Sequence, residues 1–147
     1  MPRLRGRVDV DMDAEGVKRI LDNPGEVASC IPGIQPGYRV EGDSFEADVI
    51  AKVGFISGKF HVKGRIYREN SNYRLVMEGS GAAGSNFEAE GLISVEERGS
   101  SRSAIVYDVN AKMGGILASL GSLVVKNVVS GMVKDIFKCV AGKSGLG

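Results

Sequence analysis

The chain has 147 residues, the length of one domain with one core. Its 43% hydrophobic and 25% charged residues sit on the globular average and exclude disordered, collagenous and coiled-coil classes. Nineteen Lys and Arg against eighteen Asp and Glu leave a formal charge of +1, which gives no electrostatic footprint for nucleic acid, and two cysteines with one histidine are too few for a disulfide framework or a zinc site.

The first residues, Met1-Pro2-Arg3-Leu4-Arg5-Gly6-Arg7, lack the apolar run of a secretory signal. The apolar stretch from Ile116 to Val140 contains Lys126, Asn127, Lys134, Asp135 and Lys138, which the centre of a membrane span excludes. The expectation is a single domain over residues 1–147, cytoplasmic or peripheral at the inner face of the membrane, with no metal or cofactor.

From Leu4 to Met12 the apolar residues Leu4, Val8, Val10 and Met12 alternate with Arg5, Arg7, Asp9 and Asp11, the period of a half-buried strand. Asp13 is a candidate cap for a short helix carrying Val17, Ile20 and Leu21. Asn23-Pro24-Gly25 ends that helix, and a shorter one runs to about Cys30 before Ile31-Pro32-Gly33. From Tyr38 onward the period is two for some seventy residues. Turn signals at 41–44, Ser57-Gly58, 70–72, 79–84 and 98–101 divide the region into a six-stranded meander. Gly114-Gly115 breaks it, and a long C-terminal helix follows. The fold class is therefore α+β: a seven-stranded curved antiparallel sheet with two short helices after strand one, wrapped around the long helix that alone can cover its apolar face.

That inner face collects Phe45, Ala47, Val49, Ala51 and Val53; Phe60, Val62, Gly64 and Ile66; Tyr73, Leu75, Met77 and Gly79; and Phe87, Ala89, Gly91, Ile93 and Val95. No Asp, Glu, His, Lys, Arg or Cys stands among them, so general acid-base and nucleophilic chemistry have no carrier and a non-enzymatic role is expected. The small residues Ala47, Ala51, Gly64, Gly79, Ala89 and Gly91 remove volume and point to an apolar cavity of roughly a few hundred Å³, or else only let the sheet bend. The candidate ligand-binding residues are Val49, Ala51, Val53, Val62, Leu75, Met77, Phe87, Ala89, Ile93, Tyr107, Leu117, Leu120 and Val124. Catalytic residues are not expected.

On a helical wheel Ile116, Leu117, Leu120, Leu123, Val124 and Val128 share one side of the last helix, whereas Val125, Val129, Met132, Val133, Ile136, Phe137 and Val140 cluster nearly opposite. The second stripe either packs on the two short helices or forms a partner or membrane surface.

Three further features have local readings. Gly79-Ser80-Gly81-Ala82-Ala83-Gly84 fits G-x-G-x-x-G, but the residues after it alternate like a strand and provide no helix N-terminus for a pyrophosphate. Asp9, Asp11 and Asp13 open like a calcium loop, yet Ala14 and Ile20 stand where its glycine and bidentate glutamate belong. His61 falls on the solvent side of its strand beside Lys63 and Arg65. Cys30 and Cys139 end two helices that a grip-like fold brings together, and both a disulfide and two buried thiols fit the sequence.

Four stretches together resemble the G-subunit proteins of carbon monoxide dehydrogenase. They are Asn23-Pro24 with Cys30-Ile31-Pro32-Gly33; Lys52-Val53-Gly54 with Gly58-Lys59-Phe60; the Gly79 to Gly84 run; and Tyr107 through Gly114-Gly115-Ile116-Leu117-Ala118-Ser119-Leu120-Gly121. Phe55 stands where many members have proline. The resemblance implies the helix-grip fold of the START and polyketide-cyclase superfamily. It also implies recruitment of a carbon monoxide dehydrogenase-type molybdenum hydroxylase to the membrane, with handling of a quinone or another lipid-like molecule, and it brings no catalytic residues. Two functions follow as expectations: a binding protein holding a quinone, isoprenoid or lipid-like molecule between sheet and helix, or an assembly or membrane-recruitment factor acting through the apolar surface of the C-terminal helix without a ligand.

Overall fold

Alternating charged and apolar residues make Arg3–Val10 a strand, β1, whose Leu4 and Val10 are buried. The computed structural model describes the backbone of residues 3–81 and 84–145 and, apart from Val129 and residues 143–145, their side chains. Two short helices follow, α1 (Ala14–Leu21) and α2 (Pro24–Ala28). Asp13 stands at the N-cap of α1 but makes no side-chain capping bond, whereas Asn23 Oδ1 accepts from the amides of Gly25 and Glu26 at the start of α2, with Pro24 in the first turn.

The meander comprises β2 (Arg39–Glu41), β3 (Ser44–Val53), β4 (Ile56–Glu69), β5 (Asn72–Gly81), β6 (Ser85–Glu97) and β7 (Ser103–Gly114). All pairings are antiparallel, and the sheet order is β1-β7-β6-β5-β4-β3-β2, so the first strand lies beside the last. The turn between β3 and β4 is not at Ser57-Gly58, which lie within β4, but at Gly54-Phe55 between the paired Val53 and Ile56. Gly54 takes φ +63° there, the left-handed conformation that such a two-residue turn needs and that glycine enters without strain.

The C-terminal helix, α3, spans Ser122–Gly145 and starts later than the apolar pattern predicts. Gly115 at φ +62° turns the chain against the Gly84 carbonyl, Gly115–Ser119 form a 3-10 turn, and Leu120 is extended. Leu117 and Leu120 are therefore not on the same helical wheel as Val124.

The two short helices are clamped to the sheet by a polar knot. Arg68 at the end of β4 holds Asp22 with two bonds of 2.7 and 2.8 Å, and the Tyr73 hydroxyl lies 2.8 Å from Asp22 Oδ1 and 3.0 Å from the Lys18 carbonyl. Arg68 pulls the Asp22 carboxyl below its usual range; burial, then the bond to Asp22, pushes the Tyr73 phenol up to about 12.

The second apolar stripe of α3 is core. Phe137 and Val140 are buried, Val133 and Ile136 pack half-buried against the cluster that includes Val17, Leu21 and Val27 of the short helices and Leu4 of β1, and Val125 is buried as well. Met132 is half-buried, and the Val129 side chain lies outside the described residues. The stripe from Val125 to Val140 is thus not a free partner or membrane surface: a fixed length of helix over a curved sheet must turn its apolar side toward α1 and α2. Cys30 and Cys139 form a disulfide, with Cα atoms 5.5 Å apart across 109 residues of chain.

Candidate functional site

The inner face of the sheet is built around glycines that carry rings. Gly64 lies directly opposite Phe45, Gly79 opposite Phe87, Gly81 opposite Phe60 and Gly6 opposite Tyr107. A Cβ at Gly81 would fall 2.5 Å from Phe60 Cδ1, and one at each of the other three would collide with the opposite ring. The glycines therefore do not empty the interior; each makes a seat that a cross-strand aromatic ring fills.

What remains is a cavity of about 40 Å³, lined by Val27 and Ile31 beside α2, by Phe45, Ile66, Leu75, Met77, Ile93 and Val109 of the sheet, and by Val133, Ile136 and Phe137 of α3. Every lining side chain is apolar, and the volume is about that of one or two waters rather than the several hundred Å³ of a ligand pocket. The space is smaller than the sequence suggests because the rings occupy the volume that the small residues release.

Of the candidate ligand residues, Leu75, Met77 and Ile93 reach this cavity. Val49, Val62 and Leu117 are buried in a neighbouring cluster with Phe45, Phe60, Ile56, Ile31 and Ala28, against which Ala51, Val53, Phe87 and Leu120 pack half-buried. Ala89 packs against the first cluster, and Tyr107 belongs to it, its ring centroid 5.9 Å from that of Phe137. Val124 is 41% exposed and does not line this cavity. Val27, Ile31, Phe45, Ile66, Val109, Val133, Ile136 and Phe137 line the cavity although the sequence pattern does not assign them to it. The 3.6-residue period of Val133, Ile136, Phe137 and Val140 was the signal, but only contact with α2 turns that stripe inward.

A second, much wider concavity, about 1180 Å³, lies open on the outer face, where Arg39, Glu41, Glu46, Lys63, Arg65 and Glu88 are among its lining. It is flanked by ion pairs, Arg65 with Asp43 at 3.0 Å and Arg74 with Glu90 at 2.7 Å, and offers no enclosure to an apolar molecule. Near it His61 bridges two carboxylates of β3: Nδ1 lies 2.9 Å from Asp48 Oδ1 and Nε2 contacts Glu46 Oε2. The bonds to Asp48 and then Glu46 raise the His61 pKa, and His61 in turn lowers that of Glu46. With both ring nitrogens facing carboxylates, imidazolium satisfies the site, and His61 points away from the cavity. Of the Gly79 to Gly84 run, Gly79, Ser80 and Gly81 are the end of β5, paired with Phe87, Asn86 and Ser85, Ala82 and Ala83 lie outside the described residues, and β6 rather than a helix follows. Asp9 and Asp11 are instead paired with Arg7 and Arg102.

Among the described residues no helix is long and apolar enough to cross a membrane. The architecture is shared by solved structures. A conserved protein from Geobacillus kaustophilus is 22% identical over 98% of this chain and 95% of that one, with a TM-score of 0.87. A START superfamily protein from Mycobacterium smegmatis is 16% identical over 98% and 97%, with a TM-score of 0.67. The Zhui aromatase/cyclase from Streptomyces sp. R1128 is 12% identical over 98% and 93%, with a TM-score of 0.60. No curated protein sequence matches the chain. The seven-stranded grip around a long C-terminal helix is thus the START and cyclase fold, and the family model of CoxG, the G subunit of carbon monoxide dehydrogenase, matches residues 6–145. With nearly the whole chain covered by that model, the protein belongs to the CoxG family of carbon monoxide dehydrogenase G subunits.

Proposed function

We propose that the protein is a non-enzymatic carrier that holds an apolar small molecule, a quinone, isoprenoid or acyl chain, between sheet and α3, as an accessory to a carbon monoxide dehydrogenase-type molybdenum hydroxylase. One observation carries this reading: the cavity is closed by three elements and lined without a single ionisable side chain. A fold shared with an aromatase/cyclase does not decide between binding and catalysis, whereas a lining with no acid, base or nucleophile favours binding. Burial at about 25 cal/mol per Å² gives micromolar affinity once a few hundred Å² of ligand are covered. Because the closed cavity holds only about 40 Å³, uptake requires its walls to part.

The test is native against denaturing mass spectrometry of protein purified from a lipid-rich host and of protein incubated with a short-chain quinone or palmitate. One apolar molecule per chain, released on unfolding and excluded by Val133→Phe in a folded variant, is the expected result. A clean apo mass with no uptake from either probe overturns the reading.

A peripheral membrane contact is supported at a different place from the buried stripe. Phe55 at the β3–β4 tip is 70% exposed and Leu123 69%, and a Cβ at Gly54 would lie 3.0 Å from Leu120 Cδ2 and 3.4 Å from Val124 Cγ1, so the tip rests on the start of α3. From Val49 to Phe60 and from Ala111 to Lys134 the chain has no Asp or Glu, while Lys52, Lys59 and Lys126 lie there exposed. Projecting apolar side chains rimmed by lysines suit the headgroup boundary of an anionic bilayer.

A further inference from the structure

The two cysteines stand next in the chain to residues that line the cavity. Cys30 falls between Val27 and Ile31, which form the α2 wall, and Cys139 follows Ile136 and Phe137, which form the α3 wall. Their disulfide is the one covalent bond between those walls among the described residues. The rest of the junction is weaker: α2 has only five residues, and the backbone of α3 approaches β1 and α1 more extensively than it does α2. The space holds only one or two waters, so a larger guest needs its walls to part, and this bond ties two of them.

The noncovalent packing divides in a way that gives the bond a specific effect. Phe137 belongs to the buried cluster that holds Leu4 of β1 and Val17 and Leu21 of α1 together with Val27 of α2, and Val140 is buried too, so most of this seating is on β1 and α1. Opening the disulfide therefore leaves the C-terminal half of α3 seated on β1 and α1 while freeing the segment from Val27 to Ile31 to separate from Ile136. Cys30 is buried whereas Cys139 is half-buried, so Cys139 is the more accessible half of the bond.

We propose that the Cys30–Cys139 disulfide is a redox site that latches the cavity, closed when oxidised and open to an apolar ligand when reduced by a dithiol; the proposal rests on the ligand-binding reading above. In the reaction a thiolate of the dithiol attacks Cys139 Sγ, the bond between the two protein sulfurs breaks, and Cys30 leaves as thiolate and takes up a proton. The second thiol of the reductant then attacks the mixed disulfide, releasing Cys139 as a thiol. The protein disulfide gains two electrons and two protons, and the dithiol is oxidised to its own disulfide.

The full chain is titrated with a short-chain quinone and with palmitate in three forms: oxidised, reduced with dithiothreitol, and Cys30→Ser/Cys139→Ser. Native mass spectrometry reads occupancy, alkylation confirms the thiol state, and circular dichroism confirms the fold. The expected result is binding tighter by about tenfold or more in the reduced form and in the variant, because a closed wall multiplies the apparent Kd by the inverse of the open fraction. Equal affinity in oxidised and reduced protein overturns the latch and leaves the carrier reading standing. Weaker binding on reduction, or unfolding of the reduced protein, makes the bond a structural staple and also overturns it. No uptake in any form overturns the latch and the carrier reading together. Should the double variant fail to fold, the comparison of oxidised and reduced protein decides alone.

Discussion

The ring of Phe45 lies on Gly64, its direct partner across β3 and β4, in the space that a Cβ would occupy. Phe45→Ala is expected to cost about 3–5 kcal/mol, and Gly64→Val about 1–3 kcal/mol by displacing the ring. In the double variant the valine fills part of the vacated space, so its loss is smaller than the sum of the two. Urea denaturation of the four proteins of this cycle measures the coupling; strict additivity would mean that the ring and the glycine do not act as a unit.

The His61 bridge gives a pH dependence with a defined window. The His61 pKa is raised from 6.5, so its bonds stabilise the fold fully below 6.5 and are lost as pH rises through the higher folded value. Glu46 is lowered from 4.5, so its share is present above 4.5 and is lost as pH falls through the lower folded value. The bridge is at full strength between these limits. Thermal midpoints of the native protein therefore decline modestly as pH rises through the His61 transition, and His61→Gln removes that slope. The site is exposed, so the effect shrinks further in high salt.

Tyr73 makes the opposite end of the sheet sensitive to alkali. The Tyr73 phenol is pushed up to about 12, held neutral by burial and by Asp22. Its contribution to stability is complete below 10 and disappears as pH rises through about 12. Ultraviolet titration is expected to show one late tyrosine that Tyr73→Phe abolishes. The same substitution costs about 0.5–1.5 kcal/mol near neutral pH through the lost hydrogen bond.

The projecting tip separates a lipid contact from a partner contact. Co-sedimentation with phosphatidylserine-containing vesicles is expected for the native chain and is lost in Phe55→Asp/Leu123→Asp. Lys52→Gln/Lys59→Gln/Lys126→Gln weakens it by about fivefold per lysine, at roughly 1 kcal/mol each, and removes the preference for anionic over neutral vesicles. All of these positions are exposed, so the variants keep the fold. Undiminished sedimentation of both would show that this end is not the lipid contact.

The succession of elements and the faces of the meander strands were legible in the sequence because period-two alternation runs through Phe45–Val53, Phe60–Ile66, Tyr73–Gly79 and Phe87–Val95, whereas the place of β1 beside β7 was not. One-sided burial makes register hard to shift. The β3–β4 turn was misplaced by three residues because Ser57-Gly58 has turn composition, while Gly54 shows its role only through φ. The start of α3 was hidden because Ile116, Leu117 and Leu120 fit a helical period that the 3-10 turn and the extended Leu120 do not follow. The site was the least legible part. Small inward residues look like missing volume until the ring opposite each glycine is known, and pairing across strands is set by register rather than by composition. The disulfide stood open for the same reason: 109 residues separate two cysteines that only the seating of α3 on α2 brings together.

The neighbourhood of β1 and β7 bears on how the chain is made. Arg3 pairs with Asn110 and Val10 with Ser103, so β1 waits through the synthesis of five other strands before its partner β7 exists. Meanwhile the greasy side of the emerging hairpins has no helix over it, a state that invites aggregation. Phe45 on Gly64, Phe60 on Gly81 and Phe87 on Gly79 each join adjacent strands, so these rings can lodge as soon as their own hairpin closes. Tyr107 on Gly6, by contrast, has to wait until β7 has been made. The ring seats thus let the nascent sheet cover itself, strand by strand, before its helix arrives.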